Sequence, residues 1–187
     1  MKNISKPTIS TIRSDLIALD FIVWGNGPSM KHFDFDRCNP NLRTVGINRQ
    51  WERGIDCDFV VCCDEYQVIY AKENAPAFIQ GNLYSRPRYA KKHGTRTLPD
   101  ASDAEIGGSM AIRVAANFNP RKIILAGFDA HRWGRVDKWH PSPRTGNRGP
   151  RNLFNWHETV NRAIKDNDHI VFIYANTPEE FALYCYA

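Results

Sequence analysis

Five short apolar runs, each halted at a small polar or acidic residue, constrain this chain more than any other feature. Residues 20–24, 43–47, 58–63, 121–127 and 169–174 read DFIVW, RTVGI, DFVVCC, RKIILAG and HIVFIY. They run into Asn26, Asn48, Asp64, Asp129 and Asn176. Their apolar residues are consecutive rather than alternate, as in parallel strands covered on both faces. Helical signals fall between them. Residues 65–74 carry Val68, Ile69 and Ala71 at helical spacing, and residues 108–118 follow a Gly-Gly pair and stop at Asn119-Pro120. Residues 152–166 put Leu153, Trp156, Val160 and Ile164 on one face, and residues 178–184 carry Pro178 in the first turn. Strands alternating with helices predict an α/β chain: a Rossmann-like, doubly wound, mostly parallel sheet with helices on both faces.

The 187 residues suit one domain. Residues 1–18 read as an N-terminal arm, and residues 19–187 as a single nucleotide-binding domain. Hydrophobic residues make up 42%, enough for a core. No run approaches the roughly 20 apolar residues that cross a bilayer. The first residues lack a continuous apolar segment and a small-residue cleavage site, so the expectation is a cytoplasmic chain without a membrane span. Five cysteines with no CxxC argue for free thiols, with Cys62 and Cys63 packing as small apolar residues, and against a thiolate metal site.

The strand ends are where ligands bind in open α/β sheets. The first strand runs into Gly25-Asn26-Gly27-Pro28-Ser29. Two glycines allow close backbone approach, with Gly27 free to take a positive φ. Pro28 suits a first helical position, and the Ser29 turn offers N–H groups to an anion. This is neither GxGxxG nor a P-loop. Gly107-Gly108-Ser109 opens a later helix and makes a second candidate phosphate site. An ordinary turn or cap accounts for either stretch on its own.

Taken in order, GNGPS, GIN, GGSMAIRVA and GFDAH resemble motifs of the bacterial sialyltransferases of glycosyltransferase family 42. They also resemble those of the related motility accessory factors and archaeal 6-hydroxymethylpterin diphosphokinases. The likeness covers residues 20–64 and 105–131. It implies a GT-A-like fold and a nucleotide-activated donor. Asn26 and the Gly25–Ser29 backbone would then hold the phosphates, Asn48 would touch ribose or phosphate, and Asp64 would line the pocket. Gly108 and Ser109 would bind the base or phosphate end, with Asp129 on the floor. His131 stands where those enzymes carry a tyrosine that stabilises the leaving phosphate. The base would be His140 or His157.

Residues 131–151 hold six Lys/Arg against one acid, in a chain of net charge +5. The long segment 128–151 reads as a lid-like loop. Its Arg132, Arg135, Arg144, Arg148 and Arg151 suit a leaving diphosphate or an anionic acceptor. Trp133 and Trp139 suit stacking on sugars or bases. Histidine suits proton abstraction from an acceptor near neutral pH. Asp64 and Asp129, read as ending neighbouring strands, leave Mg²⁺ open as an addition that the resemblance does not require. Three functions compete. One is a small glycosyltransferase with a nucleotide-sugar donor and a carbohydrate or anionic acceptor. The second is a Mg-nucleotide diphosphokinase. The third is a non-catalytic nucleotide or nucleic-acid binding module.

Overall fold

The computed structural model describes residues 20–129, 137–142, 146–148 and 153–186, with side chains left out for 137–148 and 153–155. The N-terminal arm therefore lies outside the described residues. Among the described residues, eight strands and six α-helices form the framework. β1 is Phe21–Trp24, β2 Arg43–Ile47, β3 Phe59–Cys62, β4 Leu83–Ser85, β5 Lys122–Ala126, β6 Asp137–Ser142, β7 Gly146–Arg148 and β8 Val171–Ala175. α1 is Glu65–Asn74, α2 Ala77–Gly81, α3 Pro87–His93, α4 Gly107–Ala116, α5 Leu153–Lys165 and α6 Pro178–Cys185.

Six strands make one sheet in the order β4-β3-β2-β1-β5-β8, and every pair in it is parallel. This is the Rossmann-like α/β arrangement that the alternating runs predict. The inner strands of this sheet bury both faces, while β8 at one edge is partly exposed. Phe21, Val23, Val45, Ile47, Val61, Ile123 and Leu125 pack with Met110, Ile112, Val114 and Val160 from α4 and α5. Ile22, Trp24, Val60, Cys62, Ile124 and Ala126 pack with Met30, Val68, Ile79 and Phe181 on the opposite face. Burial on both faces explains the unbroken apolar runs.

The chain winds from β1 outward to β4, then crosses back beneath α4 to β5, on the far side of β1. The winding direction reverses between β1 and β5. That is the topological switch point of the sheet.

Two features depart from the sequence reading. β4 was not anticipated: LYS is too short to show a pattern, yet it is wholly buried at the sheet edge. Segment 128–151 is not a plain loop. It contains the antiparallel pair β6–β7, with Asp137 opposite Arg148 and Ser142 opposite Gly146. Pro141 is tolerated there because a two-stranded ribbon consists only of edges. β6 lies against the 3-10 turn Pro28–His32, which follows β1.

Candidate functional site

The β1 and β5 loops do not splay apart at the switch point; they are laced together. The Gly25 N–H donates to the Ala126 carbonyl at 2.7 Å, and the Gly27 N–H to the Gly127 carbonyl at 2.8 Å. The Ser29 N–H donates to Asp129 Oδ2 at 2.9 Å. The parallel ladder thus continues past both strands, with the Asp129 carboxylate as its last acceptor. Pro28 occupies the first helical position of the 3-10 turn, as expected.

These bonds correct the expected role of the glycine turn. The N–H groups of Gly25, Gly27 and Ser29, assigned by resemblance to phosphate, are bonded within the protein. Gly27 has φ −76°, so a positive φ is not why it is glycine. A Cβ there would fall on the Asp129 carboxylate, 2.7 Å from its Cγ, and 2.6 Å from the Gly127 carbonyl oxygen. At Gly25 a Cβ would meet the Gly127 carbonyl group, with the carbon at 2.8 Å. Both glycines let two loops close on each other. Gly127 carries the positive φ, 73°, and its missing Cβ leaves room for Met30.

Four polar groups surround this lacing. Asp129 is 1% exposed, and its Oδ1 has no hydrogen-bond partner among the described residues. The Ser29 hydroxyl, buried beside it in the turn, likewise has none. Gln50, which sequence reasoning missed, is 2% exposed and donates from Nε2 to the Gly25 carbonyl at 2.5 Å and to Asn26 Oδ1 at 3.4 Å. Its Oε1 is unpartnered among the described residues. Asn176 accepts the Phe128 N–H on Oδ1 at 3.0 Å, tying the ends of β5 and β8 together, so it acts as a strand tie. Buried polar atoms are nearly always partnered, so several open ones at one sheet edge mark a place for water or ligand.

The remaining strand ends divide. Asn48 sits in the left-handed region at φ 59°, its N–H donating to the Val61 carbonyl at 2.8 Å, with a half-buried side chain. Asp64 is exposed at the start of α1 and makes no side-chain cap bond. Asp64 and Asp129 do not end neighbouring strands. β2 and β1 stand between β3 and β5, a separation of three strand spacings, about 14 Å. The two acids therefore follow strands that are not adjacent. No group of three or more His, Cys, Asp or Glu among the described residues is arranged to hold a metal.

The second candidate, the Gly107–Ser109 stretch, opens a helix in the structure. α4 begins at Gly107, follows Ile106 and has no side-chain cap. Its first intrahelical bond is from the Met110 N–H to the Ile106 carbonyl, so the N–H groups of Gly107, Gly108 and Ser109 have no intrahelical acceptor. A Cβ at Gly107 would lie 3.0 Å from Ile47, at the end of β2, and one at Gly108 would lie 3.5 Å from Phe128 and 3.6 Å from Trp156 Nε1. The helix thus starts at the carboxyl edge of the sheet. Ser109 does not cap it: its hydroxyl donates back to the Ile106 carbonyl at 3.1 Å. The residue lines a cleft of about 500 Å³ beside α4 and α5 with Glu105, Arg113, Thr159 and Arg162, away from the turn.

Trp156, read in the sequence only as part of an apolar face, packs on Phe128 with ring centroids 6.0 Å apart. His157 is half-buried, edge-on to Trp156 at 5.4 Å, and so lies on the part of α5 that borders the edge. His140 falls on β6 and Arg148 on β7, their side chains outside the described residues. His131, Arg132, Arg135, Arg144 and Arg151 lie outside the described residues. Arg86, also missed by the sequence reading, follows β4 and donates from Nε to the Glu105 carbonyl at 2.7 Å. It adds a half-buried cation to the same edge.

No protein-family model matches this chain, and no curated protein does.

Proposed function

We propose that this chain is a small transferase that uses a nucleotide-activated donor, most closely a glycosyltransferase of the sialyltransferase-like type. The observation that carries the reading is the convergence of GNGPS, GIN, GGSM and GFD on the carboxyl edge of one parallel sheet, around its switch point. Ligands of such sheets bind there.

The internal bonding of the turn shifts the expected roles. The donor's phosphates take the open N–H groups of Gly107, Gly108 and Ser109, where the helix dipole favours negative charge. The side chains of Asn26 and Asn48 contact the nucleoside or the phosphates. Asp129 and Gln50 hold the turn, Asp129 through the Ser29 N–H and Gln50 through the Gly25 carbonyl. His140 or His157 takes the acceptor proton. Arg132, Arg135, Arg144 and Arg148 neutralise the leaving phosphate. The acceptor is a carbohydrate or an anionic molecule.

The diphosphokinase alternative draws on Asp64 and Asp129 as a metal-binding pair, and the two follow strands that are not neighbours. The test is donor turnover. The chain is incubated with cytidine-, uridine- and guanosine-activated sugars, with and without Mg²⁺, and nucleotide release is followed. Release from one sugar donor without Mg²⁺, reduced in His140→Ala or His157→Ala, is the expected result. Strictly Mg²⁺-dependent transfer from ATP would instead favour the diphosphokinase. No turnover, with tight salt-sensitive binding of nucleic acid, would favour the binding module.

A further inference from the structure

Residues 86–96, RPRYAKKHGTR, hold five Lys/Arg and no acid, so this stretch alone matches the chain's net charge of +5. It folds as α3, behind β4, and closes at Gly94 in the left-handed region. α3 buries Ala90 and turns Arg88, Lys91 and Lys92 outward, at the three- and four-residue spacing of one helical face. Arg96, also exposed, follows two residues beyond Gly94. Lys72 of α1 joins them, its Nζ donating to the His93 carbonyl at 2.7 Å. The acids nearby are engaged elsewhere. Glu65 takes Lys92 at 2.7 Å and His93 at 2.9 Å, and Asp103 accepts the Arg88 backbone N–H at 3.0 Å. Glu105 and Asp100 both bond Arg113. Among the described residues, Lys72, Arg88, Lys91 and Arg96 form no ion pair with a carboxylate. Like charges gathered this closely repel one another, and a polyanion relieves that cost.

We propose that this face of α3 binds single-stranded nucleic acid, with Lys72, Lys91 and Arg96 on its phosphates and Arg88 beneath one of its bases. The state of Arg88 decides among polyanions. Its guanidinium lies over the Tyr89 ring, 4.6 Å from the centroid, and donates to the Tyr89 hydroxyl at 2.7 Å. The ring thus holds a planar cation in place on an exposed surface, and an unpaired base stacks on such a plane. An acidic peptide has no use for that plane, and a duplex keeps its bases inside. Charge and one base face carry no sequence code, so the binding is indifferent to sequence.

The test is fluorescence anisotropy of a labelled oligothymidylate titrated with the full chain across a range of salt. No sugar donor is present, so the result stands apart from the transferase reading. Each cation on a single strand contributes about −0.7 to the slope of log affinity against log salt, so these four contribute about −3, a roughly 50-fold loss between about 50 and 200 mM salt. Lys72→Gln/Arg88→Gln/Lys91→Gln/Arg96→Gln should bind more weakly with a slope shallower by about 3, at an unchanged circular dichroism spectrum. Arg88→Lys keeps the charge and removes the plane; it should leave the slope unchanged and weaken binding about tenfold. Lys165→Gln, an exposed cation on α5, should alter neither. No binding at the lowest salt overturns the proposal, and so does an unchanged slope in the quadruple variant. Full affinity in Arg88→Lys, or equal affinity of the unsubstituted chain for polyglutamate, would make the face a general anion surface and overturn the assignment to nucleic acid.

Discussion

At the residue scale, Gly27 shows why residue type alone misleads. Its sequence setting suggests a turn that needs a positive φ, whereas its backbone is extended and the constraint is space. Gly27→Ala should therefore destabilise the unliganded chain by about 1–3 kcal/mol, because backbone and a bonded carboxylate must move to admit a methyl group. Denaturant unfolding checks this; unchanged stability would mean that the loops are not laced as described. The cysteines supply a second residue-scale test. Burial, helped by Asp34 and Asp36, pushes the Cys38 thiol up to about 12. Burial pushes Cys63 up to about 12 against the opposing influence of Arg86, and it raises Cys57, Cys62 and Cys185 as well. In the unfolded chain these thiols lose their protons near pH 8.5. The folded state then binds more protons, so the stabilisation is complete below about pH 8.5 and is lost as pH rises toward 12. Melting temperature should fall steadily from pH 8.5 upward, and less steeply in Cys38→Ala.

At the scale of elements, the parallel strands were legible because double burial writes continuous apolar runs, and β1, β2, β3, β5 and β8 fall within one or two residues of their expected bounds. β4 was not, because three residues carry no period and its place is fixed by neighbours on one side and by Arg96 on the other. Helix starts were legible where chemistry marks them. α6 begins with Pro178 and a capping box: Thr177 Oγ1 accepts the Glu180 N–H at 3.2 Å, and Glu180 Oε2 accepts the Thr177 N–H at 3.2 Å. Glu180 Oε2 also accepts the Asn176 N–H at 3.0 Å, so the box fixes the exit of β8. Thr177→Ala should cost about 1 kcal/mol, read from urea unfolding, while Thr177→Ser should cost much less. Equal losses in both would place the cost in the methyl packing rather than the cap.

For the whole molecule, the gathering of the candidate residues at one sheet edge was readable and the bonding among them was not. Polar strand ends point to the carboxyl edge in any parallel sheet. Which N–H groups remain open there depends on contacts across 100 residues, such as Ser29 with Asp129, that no local pattern records. Gln50 and Trp156 were missed for the same reason: each gains its role from a partner, Gly25 or Phe128, that is distant in sequence. The central claim is that this edge binds a nucleotide. Asn48 tests it most directly, because its two roles can be separated. Asn48→Gly keeps the left-handed backbone without strain and removes only the side chain. By calorimetric titration with the nucleotide of the preferred donor, Asn48→Gly should weaken binding by about 1–3 kcal/mol while its melting temperature stays near that of the unsubstituted chain. Equal affinity in the two proteins, or no measurable heat with any nucleotide, would contradict the account.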